Sequence, residues 1–405
     1  MPTADRTTGG RGTRWLWWLL ACVVCTQTAL NLARPLLSYK AIALGGDALA
    51  IGLITSAYAL LSLLAAVPLG RLSDRTARTH RILLVGTLLL VLAPLLMAVS
   101  SSLPLIAVAG TVLGFGHIVF VIAGQGMVAR CSGDADLDRN FGWFTAAVAV
   151  GQMVGPLVAG LVLGEGRAVE LAVPILHALL IASATAAAAL LALAGLVRTV
   201  PAPVVPAATS SGETGSPPVF SLLRRPGVAP GLFVSLALLA SVDVLTAYLP
   251  LIAEERGISP AVTGALLALR AAFSIASRLL LARMLRRWTR RALVIASSLG
   301  SAVALVVVAL PWADRWWLMA PALAVGGFLL GIGQPLTMTA VVLAVPERAR
   351  GTALALRLWA NRLGQVALPT GAGVAAASLG AAGSIWFACG VLAAAAGAGR
   401  MTRDP

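Results

Sequence analysis

The hydrophobic positions of this chain do not alternate or recur at a helical period; they run on for about twenty residues at a time, broken by short polar stretches. A bilayer core of ~30 Å needs ~20 mostly apolar residues to be crossed as a helix. Windows of that kind lie at 15–38, 49–69, 81–100, 103–128, 141–163, 171–197, 229–252, 261–282, 291–311, 317–345, 351–378 and 381–399. The pattern predicts an all-α membrane protein with twelve transmembrane helices. Between the sixth and seventh windows, TVPAPVVPAATSSGETGSPPVFSLLRRP at 199–226 is rich in Pro, Ser, Thr and Gly and has no hydrophobic period, so it reads as a linker. The expected organisation is a six-helix bundle at 1–198, a cytoplasmic linker at 199–226 and a second six-helix bundle at 227–405.

Short motifs recur between the halves at nearly one offset, as a duplication requires. GRLSDRTART at 70–79 falls on ARMLRRWTRR at 282–291, and GQMVGPLVAG at 151–160 falls on GQVALPTGAG at 364–373. ARPLL at 33–37 lies opposite YLPLI at 248–252, with Pro35 over Pro250.

Composition strengthens the membrane reading: 59% of residues are hydrophobic and 11% charged, where a soluble domain carries about 25% charged residues. The net charge of +15 raises the question of nucleic acid, and its placement answers it. With the N-terminus inside, the segments on the cytoplasmic side hold twenty-one basic residues and the outer loops only Lys40, Arg167, Arg256 and Arg315. The charge therefore orients the chain, with both ends cytoplasmic, and gives no reason to expect nucleic acid. Cys22, Cys25, Cys131 and Cys389 form neither a disulfide framework nor a metal spacing. The chain shows no nucleophile, metal or cofactor constellation and no Gly-x-x-x-x-Gly-Lys loop, which argues against an enzyme and against ATP as the fuel.

These features resemble the major facilitator superfamily of secondary transporters. The decapeptide at 70–79 resembles that family's signature between helices two and three at Gly70, Leu72, Asp74, Arg75 and Arg78, with Ala77 and Thr79 where the family has a glycine and a second basic residue. In helix five, Gly142, Gly151, Gly155, Pro156 and Gly160 resemble the spacing of the family's exporters. The resemblance implies a fold of two pseudo-symmetric bundles that rock about a midplane site. It also implies a conformational switch in which Asp74 faces the start of helix eleven near Arg350 to Thr352, where a helix N-terminus favours an anion. It further implies a helix-five glycine face that presses on a helix of the opposite half, with helix eleven expected from its similar marking.

Ionisable residues inside a bilayer are costly and default to functional candidates. Of fifteen acids only Asp243 falls inside a span, and Arg270 lies at the same ~15 Å depth on the next helix. Either the two neutralise each other, or the pair opens when Asp243 takes a proton. His117 sits in mid-helix four with Gln125 two turns on, as a hydrogen-bonded core residue or a proton relay. Helix one offers Asn31 and Arg34; Arg34 either snorkels to the interface or faces the cavity. Arg357, Asn361 and Gln365 form a polar stripe on helix eleven that lines the path or packs.

This chain departs from proton-coupled exporters in lacking an arginine in helix four, four residues before a glycine, and an acid in helix one, which weighs against a cationic solute. The expected activity is proton-coupled efflux of a small organic solute by antiport. The alternative is an uptake symporter or facilitator for a small polar or anionic metabolite. The expected setting is a monomer in a bacterial cytoplasmic membrane, with the lipid bilayer, a small-molecule substrate and protons as partners and no cofactor.

Overall fold

The computed structural model describes residues 14–75, 79–132, 136–199, 222–310, 315–345 and 350–401. It contains twelve long helices: α1 Arg14–Ala43, α2 Ala48–Arg75, α3 Thr79–Val99, α4 Leu103–Cys131, α5 Leu137–Leu163, α6 Ala172–Thr199, α7 Val228–Glu255, α8 Pro260–Met284, α9 Arg290–Ala309, α10 Trp316–Leu343, α11 Arg350–Leu379 and α12 Ala382–Gly399. Eleven of them are long and apolar enough to cross a membrane, and α11 is as long but more polar.

Local sequence sets several boundaries. Ser259 caps α8 by accepting from the Val262 N–H at 3.4 Å, with Pro260 in the first turn, where its missing N–H costs nothing. Thr289 caps α9 in the same way through Ala292 at 3.2 Å. Gly45, Gly164, Gly257 and Gly380, all at positive φ, sit in the turns that follow α1, α5, α7 and α11.

The two halves use one packing scheme. In the first, α1 packs on α5 and α6, α4 on α2 and α3, and α3 on α6; in the second, α7 packs on α11 and α12, α10 on α8 and α9, and α9 on α12. One apolar cluster centres on first-half residues such as Leu32, Leu90 and Phe120 and runs on across the seam to Val244, Tyr248 and Ala372, and a second, around Leu245, Leu305 and Leu330, lies within the other half. Lipid tails are as apolar as these side chains, so close backbone approach rather than water exclusion holds such helices together. Gly114 shows the effect: a methyl group there would collide with the Tyr58 carbonyl of α2.

Across the halves, α2 meets α11, α5 meets α8 and α1 meets α7. The turns α1–α2, α5–α6, α7–α8 and α11–α12 lie on one face, called distal here; the start of α1 and the end of α12 lie on the other, called terminal. The distal seam is closed. Tyr248 places its hydroxyl 3.0 Å from the Ala48 carbonyl and 3.1 Å from that of Pro369. Ser56 donates to the Val366 carbonyl at 2.7 Å. On the other side of the seam, the Ala261 N–H donates to the Gly164 carbonyl at 3.1 Å, and the Glu254 carboxylate accepts the Ala168 N–H at 3.0 Å.

The helix-five expectation needs correcting. Its opposite-half partner is α8, not α11: a methyl at Gly160 would stand 2.7 Å from the Pro260 carbonyl and 3.0 Å from Gly264 Cα, and one at Gly264 would collide with the Pro156 carbonyl. Gly151 and Gly155 instead seat α5 on α1 of its own half, at the backbone of Gln27 and Asn31. Gly142 has open space where a methyl would go. Helix eleven, marked alike, packs on α2 because each half repeats the same scheme and the halves meet through a twofold-like exchange of partners.

Candidate functional site

A cavity of about 270 Å³ lies between the halves near mid-height, lined by α1, α2, α4, α5, α7, α8 and α11. Its floor toward the distal face is buried at Asn31 and Tyr58, whereas Gln125, Thr145, Arg278 and Leu358, all nearer the terminal ends of their helices, are exposed. The cavity is thus shut distally and open toward the terminal face.

At its centre Asp243 of α7 forms an ion pair with Arg34 of α1. The side chains are 5% and 16% exposed, so the pair is largely withdrawn from water. The second carboxylate oxygen accepts from Gln365 Nε2 at 2.6 Å, and Gln365 Oε1 accepts from Arg362 Nη1 at 2.8 Å. The Arg34 guanidinium also stands 5.2 Å from the Tyr58 ring centroid, a cation–π contact. A continuous polar chain therefore runs from α2 through α1 and α7 to α11, crossing from one half to the other at the Arg34–Asp243 bond.

This geometry corrects the pairing of Asp243 with Arg270. Arg270 is buried on α8 against Gly327 of α10, its Nε has no hydrogen-bond partner, and it makes no ion pair among the described residues. Equal depth on consecutive helices suggested the pair, but α7 and α8 touch little, while α1 crosses α7 directly. Arg34 does not snorkel either: α1 continues nine residues beyond it to Ala43, so the guanidinium lies well inside the bundle.

The remaining candidates divide. His117 lines the cavity with its Nδ1 3.3 Å from the Gln27 amide nitrogen, and Asn31 donates to the Gln27 carbonyl at 2.8 Å. Gln125 faces the cavity nearer its mouth. Of the α11 stripe, Gln365 and Asn361 line the cavity, with Asn361 accepting from Ser235 at 2.9 Å. Arg357 turns away and binds the Gln334 carbonyl at 3.0 Å and its side-chain oxygen at 2.7 Å, strapping α11 to α10. The side chains of Gly70, Asp74 and Arg75, and Arg78 altogether, lie outside the described residues.

Among the cavity residues that the sequence did not single out are Tyr58 and Arg278. Tyr58 sits in an apolar run with nothing nearby to mark it. Arg278 falls at the edge of the basic stretch 278–291, where topology alone explains arginine. Among the charged lining residues, three guanidinium groups, of Arg34, Arg278 and Arg362, face one carboxylate, that of Asp243.

No curated protein matches this sequence. Among solved structures, the fold is similar to a bacterial homolog of the human lysosomal transporter Spinster in an inward-facing, unoccupied conformation (TM-score 0.75, 14% identity, 98% of each chain covered). It is similar to the nucleoside transporter NupG (TM-score 0.78, 14% identity, 95% of this chain and 99% of that one). It is likewise similar to a D-xylose–proton symporter (TM-score 0.77, 14% identity, 96% and 98%). At such identity these likenesses speak to the fold. The sequence profile of the Major Facilitator Superfamily matches residues 19–257 and again 231–405, and this chain belongs to that family of membrane transporters.

Proposed function

We propose that this chain is a proton-coupled secondary transporter of a small polar or anionic organic solute, working as a monomer by rocking its halves, 1–198 and 227–405, about the central cavity. The observation that carries the reading is the Arg34–Asp243 ion pair. It is buried and it joins the two halves at the solute cavity. A proton on Asp243 removes one charge of a pair whose partner lies on the other half, so protonation and opening are linked through a single bond. The excess of basic residues on the terminal face supports a cytoplasmic placement of both ends in a bacterial plasma membrane.

Two modes deserve a test, each with its own support. The helix-five glycines and Pro156, which resemble those of exporters, favour efflux by exchange with protons. The excess of guanidinium groups in the cavity favours an anion and its movement together with a proton. Everted membrane vesicles containing the protein separate them: energised with a proton gradient, acid inside, they should accumulate a labelled solute under exchange, whereas co-movement should drive accumulation in right-side-out vesicles. If a panel of sugars, organic acids and amines shows no protein-dependent movement under any proton gradient, the reading fails.

A further inference from the structure

Arg278 is a cation in the cavity without a counter-charge. It lines the same space as the Arg34–Asp243–Gln365–Arg362 chain, is exposed to it, and has no hydrogen bond or ion pair among the described residues. The other two guanidinium groups have partners: Arg34 holds Asp243 directly and Arg362 reaches it through Gln365. Counted over the lining, the cavity carries two uncompensated positive charges, with Arg278 the group nearest the open mouth.

We propose that Arg278 anchors the oxyanion group of the transported solute, a small organic carboxylate or phosphate, and that this anion enters together with the proton taken by Asp243. The proposal rests on the proton-coupled reading given above. A planar guanidinium fork matches carboxylate and phosphate oxygens in pairs and holds them more specifically than a point charge does. The cavity of about 270 Å³ falls just below the ~300–1,000 Å³ of typical small-molecule sites, which selects a compact solute.

The coupling follows from charge. The ionisable and charged groups facing Asp243 are Arg34 from α1, Tyr58 from α2, His117 from α4, Arg270 and Arg278 from α8 and Arg362 from α11. Of helices α10 and α12, which also pack on α7, α10 carries no ionisable residue and α12 only the buried Cys389 thiol, which donates to the Ala302 carbonyl and brings no charge. Asp243 is therefore the single negative charge in the cavity, and an anion at Arg278 adds a second within the same small space. Neutralising Asp243 relieves that repulsion and frees Arg34 for the solute. Anion and proton then bind cooperatively and cross together, the reverse of what a cationic solute competing with the proton would do.

The test uses the purified full-length protein. Thermal stabilisation is measured with succinate, benzoate and glycerol 3-phosphate, and with benzamide and benzylamine as neutral and cationic counterparts. At least one oxyanion should stabilise the protein and neither counterpart should. Arg278→Gln should weaken that oxyanion's binding roughly tenfold or more, Arg278→Lys less, and Arg287→Gln on the terminal surface not at all. Proteoliposomes with a trapped pH dye then read coupling: external succinate or glycerol 3-phosphate should acidify the lumen beyond protein-free liposomes. No stabilisation by any of the oxyanions, stabilisation by the amine, or anion binding indifferent to Arg278→Gln overturns the anchor. Anion uptake through Arg278 without proton movement would instead defeat the proton-coupled reading and leave the anchor standing; lumenal alkalinisation would defeat co-movement.

Discussion

Closure of the distal seam depends on a contact that a single methyl group would break, and this makes Gly264→Ala a sharp probe of the rocking motion. At Gly264 a Cβ would collide with the Pro156 carbonyl and come within 2.8 Å of Gly160 Cα, all backbone atoms of the opposite half that cannot rotate aside. Overpacking a tight contact costs typically 1–3 kcal/mol. The three atoms nearest to it all belong to α5, so the strain is tied to the shut seam and is released when the halves part. An equilibrium between distally closed and distally open states should accordingly shift about 5- to 150-fold toward the open one. Ser56 is a suitable reporter, since it is buried in the seam against Val366 and Thr370. With Ser56→Cys in a background whose native cysteines are replaced, maleimide labelling of the purified protein should accelerate by that factor on adding Gly264→Ala. Gly142→Ala, where a methyl meets open space, should leave the rate unchanged. An unchanged labelling rate in folded Gly264→Ala protein would refute the claim that this contact belongs to one state only.

Asp243→Asn and Arg34→Gln should each destabilise the purified protein by about 3–5 kcal/mol, because each leaves a buried partner uncompensated, while the double variant should recover part of that loss in a thermal-unfolding comparison. Arg357→Gln removes the strap between α11 and α10, so it should lower thermal stability and leave solute selectivity as it is, as read by competition in proteoliposome uptake. Asp74→Asn should reach the membrane at normal abundance and transport more slowly in vesicles, the outcome that the family's switch motif implies.

How much of this could be read from sequence depends on which interactions are local. Helix positions follow from runs of apolar residues, a property of each segment alone, and the observed helices start and end within a few residues of those runs. Helix α11 shows the boundary of that signal: its run at 351–378 reads as a span like the others, although Arg357, Asn361, Arg362 and Gln365 make it more polar than the remaining helices. Side-chain partners are another matter. Asp243 and Arg270 were matched by depth, and depth is legible, but which helices touch at that depth is decided by how two bundles dock. The same repeat that reveals the fold conceals the docking: because α5 and α11 carry equivalent glycine and proline marks, they look like partners, whereas pseudo-twofold symmetry places each against the equivalent of the other's neighbour, α5 on α8 and α11 on α2. In a duplicated transporter, matching motifs identify symmetry mates, and symmetry mates away from the axis do not meet. Contacts across the axis join like to like only at the centre, where α1 meets α7, and it is there that Asp243, the one buried acid among the described residues, stands against an arginine.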